Sequence, residues 1–286
     1  LSDTTVVYKA LSLAADLVDF YPDLQSSAYR TRFALFHRRF STNTRTTWDK
    51  AQPFRVIAHN GEINTITGNR SLATSREKAL GLPKDELLTR TGTSDSGNLN
   101  EMVEALRFRS SIPFVADALA LIVPPAFPEN SYYRFWSRAC EPWDGPALLT
   151  YCDGEAIGAR IDRNGFRPCR YMMTKDAFYL SSETGIFDVK DEDVITKGTL
   201  AAGTGVRMIL GQAEVNFRDP SDSGANRGAH FDPRLKKHGP VRAPSAPKLL
   251  DQAGLFGLTT EERDRTIAPM AVVGKEPISS MGDTSA

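Results

Sequence analysis

Between Ala147 and Ser182 four short apolar runs alternate with turn pairs, and nothing else in this chain restricts its fold as much. The runs are Ala147–Cys152, Ala156–Ile161, Arg170–Thr174 and Phe178–Ser181, joined by Asp153-Gly154, Asn164-Gly165 and Lys175-Asp176. Such pairs between short apolar runs specify tight antiparallel turns, so the stretch predicts a meander of antiparallel strands. Helical signals lie elsewhere. Leu13, Leu17 and Phe20 mark a short amphipathic helix ended by Tyr21-Pro22. Leu99, Met102, Val103 and Leu106 share one face of another, starting near Ser96 with Asp95 or Ser96 as its N-cap. Phe33 to Phe36 and Phe54 to Ala58 are further strand candidates, and the sum is an α+β chain.

Residues 218–247 break this pattern. They hold five prolines, three glycines and six Lys/Arg, with only Phe231, Leu235 and Val241 as large apolar side chains. A stretch so composed cannot close a core and reads as a linker. After it, Leu249 to Arg265 has helical character, with Thr259-Thr260-Glu261-Glu262 as a helix start.

Bulk properties narrow the function. Lys plus Arg and Asp plus Glu balance at 35 each, so no net field recruits nucleic acid or an anionic membrane. The longest apolar stretch, Phe114 to Phe127, carries Asp117 and a Pro124-Pro125 break and is too short to span a bilayer. No basic region followed by an apolar run stands at the start. Cys140, Cys152 and Cys169 fit neither a disulfide framework nor a metal-ligand spacing. A cytoplasmic protein is expected, with a plastid location left open, and neither a nucleic-acid nor a membrane partner.

The chemistry-bearing residues lie early. Arg39 offers a guanidinium fork able to grip a carboxylate. Asn60-Gly61 follows an apolar run; it is either a type I′ turn or an oxyanion hole built from a side-chain amide and a glycine N–H. Asp95 is either a helix cap or a charged ligand group, and the second Ser-Asp-Ser-Gly, at Ser221–Gly224, has no helix after it. His37 and His59 flank these residues as packing or pocket-lining groups.

In order along the chain, Arg39-Phe40-Ser41-Thr42-Asn43-Thr44, Ala51–Phe54, Ala58-His59-Asn60-Gly61-Glu62-Ile63-Asn64, Ser94-Asp95-Ser96, Trp143–Ala147, Asp162–Pro168, Ser182–Gly185 and Ala268-Pro269-Met270-Ala271 with Ser280–Asp283 resemble one family. It is the class II glutamine amidotransferase domain of the glutamate synthase large subunit. The resemblance implies part of a four-layer αββα sandwich of antiparallel sheets, of the N-terminal nucleophile hydrolase type. It implies that Arg39 binds the α-carboxylate of glutamine, Asp95 its α-ammonium group, and Thr42 and His59 line the pocket. Asn60 and Gly61 would then form the oxyanion hole. Asp162–Arg167 would be a structural turn whose charges lock neighbouring loops.

The family's nucleophile is an N-terminal cysteine, for which Leu1 and Ser2 are no substitute, so a piece truncated at both ends, incompletely folded and inactive alone is expected. The expected divisions are 1–217 for the amidotransferase part, 218–247 for the linker and 248–286 for the start of the central region. The whole enzyme resembled here passes ammonia from glutamine to 2-oxoglutarate using FMN and an iron–sulfur cluster, neither expected in this segment. Glutamine and the rest of the polypeptide, or a complementing N-terminal chain, are the expected partners. The electron donor stays open among NADPH, NADH and ferredoxin. A non-catalytic remnant that retains the pocket is the alternative.

Overall fold

The computed structural model describes residues 4–40, 45–110, 112–124, 140–212, 214–217 and 258–274. Thr42, the expected linker 218–247 and the second Ser-Asp-Ser-Gly lie outside the described residues. The chain divides into two compact units, Leu1–Leu235 and Lys236–Ala286.

In the first unit a five-stranded antiparallel sheet runs in the order β1 (Ile57–Gly61), β2 (Ala147–Cys152), β3 (Ala156–Ile161), β7 (Gly205–Ile209) and β8 (Val215–Asn216). A three-stranded sheet holds β4 (Arg170–Met173) between β5 (Phe178–Ser181) and β6 (Thr196–Thr199). Because side chains alternate across a strand, the larger sheet has two apolar faces. Ile57, Leu149 and Tyr151 pack on one face with Leu99, Val103, Val115 and Leu119. Those four belong to α3 (Asp95–Phe108) and α4 (Val115–Ile122). Leu148, Ile161 and Val206 pack on the other face with Tyr171, Leu180 and Leu200, which belong to or border the smaller sheet. Helices, sheet and sheet thus lie in successive layers, and the fold is α+β with antiparallel sheets.

Each of the four strands read from the sequence is present, but they do not form one meander. β2 and β3 pair in the larger sheet, whereas β4 and β5 pair in the smaller. The far edge of β3 is taken by β7. Beyond β3, Asp162, 1% exposed, turns the chain away. Its Oδ1 accepts from Ala147 N (3.0 Å), and its Oδ2 accepts from Asn164 N (2.9 Å) and Gly165 N (3.3 Å). Arg163 pairs with Asp144 across the same corner at 2.9 Å. The expected structural role of this cluster is what the geometry gives it.

Three further expectations shift. Phe33–Phe36 is not a strand, and Phe36 is exposed. β1 starts at Ile57 instead of Phe54, because Phe54 N turns back to donate to Ile57 O (2.8 Å). The cap of α3 is Ser94, whose Oγ accepts from Gly97 N (3.0 Å), which leaves the Asp95 carboxylate for another use. The early helix is present as a 3-10 turn, Ala14–Asp16, followed by α1 (Leu17–Phe20). A longer helix, α2 (Ile66–Leu80), was not signalled; its sequence is mostly polar, and only Asn69, Ala73 and Glu77 are buried.

In the second unit, Thr259 caps the helical run Thr260–Glu262, Arg263–Ile267 and Ala268–Val273 by accepting from Glu262 N (3.1 Å). The helix start agrees with expectation and the run passes Arg265 to end at Gly274, whose φ of 69° closes it.

Candidate functional site

Among the described residues β1 is the edge strand of the larger sheet, so alternate backbone groups point to β2 and outward. Cys152 N donates to Val56 O (2.9 Å) and Glu62 N to Pro146 O (3.1 Å), which fixes the even-numbered residues as those bonded toward β2. Ile57, His59 and Gly61 therefore direct their N–H and C=O groups away from the sheet. At Ile57 the outward N–H finds Asn100 Oδ1 (3.3 Å) and the carbonyl finds Phe54 N. At His59 the Gln52 carboxamide takes both groups: its Oε1 accepts from His59 N (2.6 Å) and its Nε2 donates to His59 O (3.0 Å). One side chain stands in for a neighbouring strand. At Gly61 the outward N–H has no acceptor among the described residues.

Asn60 and Gly61 are thus paired strand residues, opposite Leu148 and Ala147, and the tight-turn alternative is excluded. Gly61 has φ 139°, and a Cβ there would overlap the Pro146 carbonyl oxygen, so only glycine fits. Asn60 is half-buried and shares the Leu148 face of the sheet, opposite the helices.

On the helix face, α3 begins beside β1. Ser96 Oγ lies 2.7 Å from His59 Nδ1, and Asp95 Oδ2 accepts from Ile63 N (2.8 Å). His59 is 2% exposed and its Nε2 has no hydrogen-bond partner among the described residues. Burial is the main cause that drops its pKa to about 4; nearby Asp95 works against the drop, and His37 and Arg167 add to it. At pH 7 the ring is neutral. His37 is also pulled below the usual histidine range by burial, opposed by backbone hydrogen bonds to Arg39 and His59. That imidazole brings the Arg39 backbone beside β1, while the Arg39 side chain is exposed.

His59, Asn60, Gly61 and Asp95 are therefore gathered around the end of β1, with Arg39 joined through His37. A cavity of about 340 Å3 opens elsewhere, among Leu80, Leu88, Met102, Ile122 and Trp143 on the helix side. Two residues of the site were not read as such from sequence: Gln52, and Ser96, which was expected only as a candidate helix cap. Gln52 lies in the Ala51–Phe54 motif and Ser96 in Ser94-Asp95-Ser96, so the motifs were visible while the bonds across the fold were not. No group of three or more His, Cys, Asp and Glu among the described residues is placed to hold a metal ion. The thiols of Cys152 and Cys169 are pushed up by burial, to about 11 and about 12. Cys140 is raised for the same reason.

The family model for class-II glutamine amidotransferases matches residues 1–218. The chain belongs to the class-II glutamine amidotransferases. Within that family it is similar to the ferredoxin-dependent glutamate synthase 2 of Synechocystis sp., with 37% identity over 98% of this chain and 20% of that protein. The large chain of NADPH glutamate synthase from Azospirillum brasilense is 36% identical over 100% of this chain and 21% of its own length. The NADH glutamate synthase of Saccharomyces cerevisiae is 35% identical over 99% of this chain and 15% of its own. The chain thus spans about a fifth of the length of the first two relatives. Relatives named for ferredoxin, NADPH and NADH thus match it at 37%, 36% and 35% identity. Among solved structures, glutamine phosphoribosylpyrophosphate amidotransferase of B. subtilis matches 63% of this chain at 18% identity, with a TM-score of 0.42. Among the described residues no helix is long and apolar enough to cross a membrane.

Proposed function

We propose that this chain supplies the glutamine site of a glutamate synthase, where glutamine is hydrolysed to glutamate and ammonia. The observation that carries this reading is the outward N–H of Gly61, which has no acceptor among the described residues, next to the Asn60 carboxamide at the end of β1. A planar amide carbonyl gains negative charge as it becomes tetrahedral. Two fixed donors at that oxygen stabilise the charge more than they stabilise the starting amide. The Arg39 guanidinium binds the α-carboxylate in two-point fashion and Asp95 binds the α-ammonium, so both ends of an amino acid are held. By its motif Thr42, outside the described residues, is assigned to the same ligand. His59, buried and neutral, contributes by holding the strand and lines the pocket from within the sheet.

The attacking group is a cysteine thiolate in the family resembled. Cys140, Cys152 and Cys169 do not provide it, since burial keeps all three protonated at neutral pH. That observation favours a second reading, in which this chain by itself binds glutamine and does no chemistry. FMN and an iron–sulfur cluster belong, on this proposal, to other parts of the whole enzyme. The described residues offer no cluster-ligand set, and no step of glutamine hydrolysis passes through either group. The remaining partner is the rest of the polypeptide or a chain that completes this domain.

Calorimetric titration of the chain with glutamine tests the site. Binding that R39A and D95A each weaken at least tenfold is expected; unchanged affinity in both variants overturns the proposal. Ammonia release, measured with and without a candidate N-terminal chain, separates the two readings.

A further inference from the structure

Besides the His37 hydrogen bond to the His59 backbone, the end of β1 is held at four points, and none of the groups that hold it is itself expected to touch glutamine's amide. Gln52 bonds both outward backbone groups of His59, with its Oε1 accepting at 2.6 Å and its Nε2 donating at 3.0 Å. Ser96 fixes the His59 ring at 2.7 Å. Asp95 takes Ile63 N at 2.8 Å, two residues beyond Gly61. Glu62 N is tied to Pro146 O at 3.1 Å. Between these ties lies the one outward N–H of β1 that finds no acceptor among the described residues. Gln52 is placed for this by a well-packed flank, as Ala51 is 1% and Phe54 7% exposed.

We propose that Gln52 is a positioning residue for the oxyanion hole, assisted by Ser96, and that it aims Gly61 N–H by clamping the preceding outward residue of the same strand edge. The inference rests on the glutamine-site reading and deepens it. A side-chain amide serves where a strand would not. A neighbouring strand continuing past His59 would also pair with Gly61 and consume the donor that the reaction needs. A single carboxamide ends after one residue, so the edge is rigid at His59 and open at Gly61. Rotating β1 by a few tenths of an ångström at His59 would move the donor off the tetrahedral oxygen while leaving the groups that hold the two ends of the amino acid in place.

The test uses the full-length glutamate synthase that carries this chain and compares two ligands. L-Glutamate probes ground-state binding. The open-chain form of L-glutamate γ-semialdehyde, in equilibrium with its cyclic imine, adds the enzyme's thiol: the S–C bond forms, the C=O π bond opens, the thiol proton passes to solvent, and a tetrahedral oxygen with no leaving group sits in the hole. In Q52L the inhibition constant of the aldehyde should rise about 10- to 100-fold with the glutamate constant within about threefold. S96A should shift the same ratio in the same direction, by less. The ratio is independent of how much enzyme is folded, so a merely structural role for Gln52 leaves it unmoved. R39A should weaken both ligands; if it weakens neither, the underlying glutamine-site reading fails. If R39A weakens both while Q52L leaves the ratio unchanged, the positioning inference alone is overturned. Should Q52L fail to fold, an unchanged ratio in S96A overturns it equally.

Discussion

Two polar clusters flank the start of β2, one on each of its edges, and they differ in how completely they are satisfied. At the turn after β3, the Asp162 carboxylate accepts from three backbone N–H groups and Arg163 bonds Asp144. Around β1, His59 Nε2 and His37 Nδ1 are buried without a hydrogen bond among the described residues, and Gly61 N–H faces outward with no acceptor there. Buried polar groups cost free energy unless paired, so a fully paired cluster is a fastening and an incompletely paired one is a place kept for something else. Composition does not separate the two; both are rich in Asp, Arg, Asn and Gly. The bookkeeping of donors and acceptors does.

The comparison breaks first at Asp162. D162A should lower unfolding free energy by about 3–5 kcal/mol, because several buried N–H groups lose their acceptor at once. Urea denaturation would show a large drop in midpoint. A change below about 1 kcal/mol would mean that the Asp162 turn is no fastening.

At the other cluster N60A should do the opposite, holding stability to within about 1 kcal/mol while glutamine turnover by the whole enzyme falls about 10²- to 10³-fold. Loss of stability with full turnover per folded molecule would exchange the roles of the two regions.

The His59 ring sharpens the contrast through pH. Its folded value, near 4, lies below the unfolded value of about 6.5, so the unfolded chain binds the proton more readily in between. The contribution is whole above about pH 6.5 and is lost as pH falls toward 4, amounting to about 3 kcal/mol in all. The facing groups are Asp95, His37 and Arg167. An NMR titration in which the His59 ring charges near pH 6.5 would dissolve this account.

The smallest effect belongs to Ser94. S94A removes the cap of α3 and should cost about 1 kcal/mol. Because Asp95 stays on Ile63 N, glutamine affinity should change less than in D95A. Equal losses in the two variants would mean that Asp95 matters only as part of the helix start.

Local features were legible in the sequence. The bounds of β2, β3 and β5 follow from turn pairs, and the buried face of α3 from its spacing, because those signals sit within a few residues of the structure they specify. The Asn60, Gly61 and Asp95 cluster was legible by family motif. What escaped was decided at a distance. The assignment of β4 and β5 to a second sheet depends on Asp162 and on β7, which lies some forty residues past β3. The Ser94 cap beat Asp95 because the Asp95 carboxylate reached Ile63 N on another element, and the bond from Gln52 to His59 is a tertiary contact that no periodicity encodes.

Gly61 and Gly145 lie on the two adjoining segments where β1 runs out beside β2, each against the residue next to the other's position. A Cβ on Gly61 would strike the Pro146 carbonyl oxygen, and one on Gly145 would strike the carbonyl oxygen of Glu62. Each segment's backbone carbonyl occupies the volume that a side chain on the other segment's glycine would need. Substitution is consequently blocked from both sides, and an alanine at one position cannot be rescued by trimming a side chain at the other, since neither has one. In a library of random variants the two positions should behave as a single locus that accepts no second residue. The path of the chain just past Gly61 thereby depends on Gly145, a residue far away in sequence, since only a glycine there leaves room for the Glu62 carbonyl.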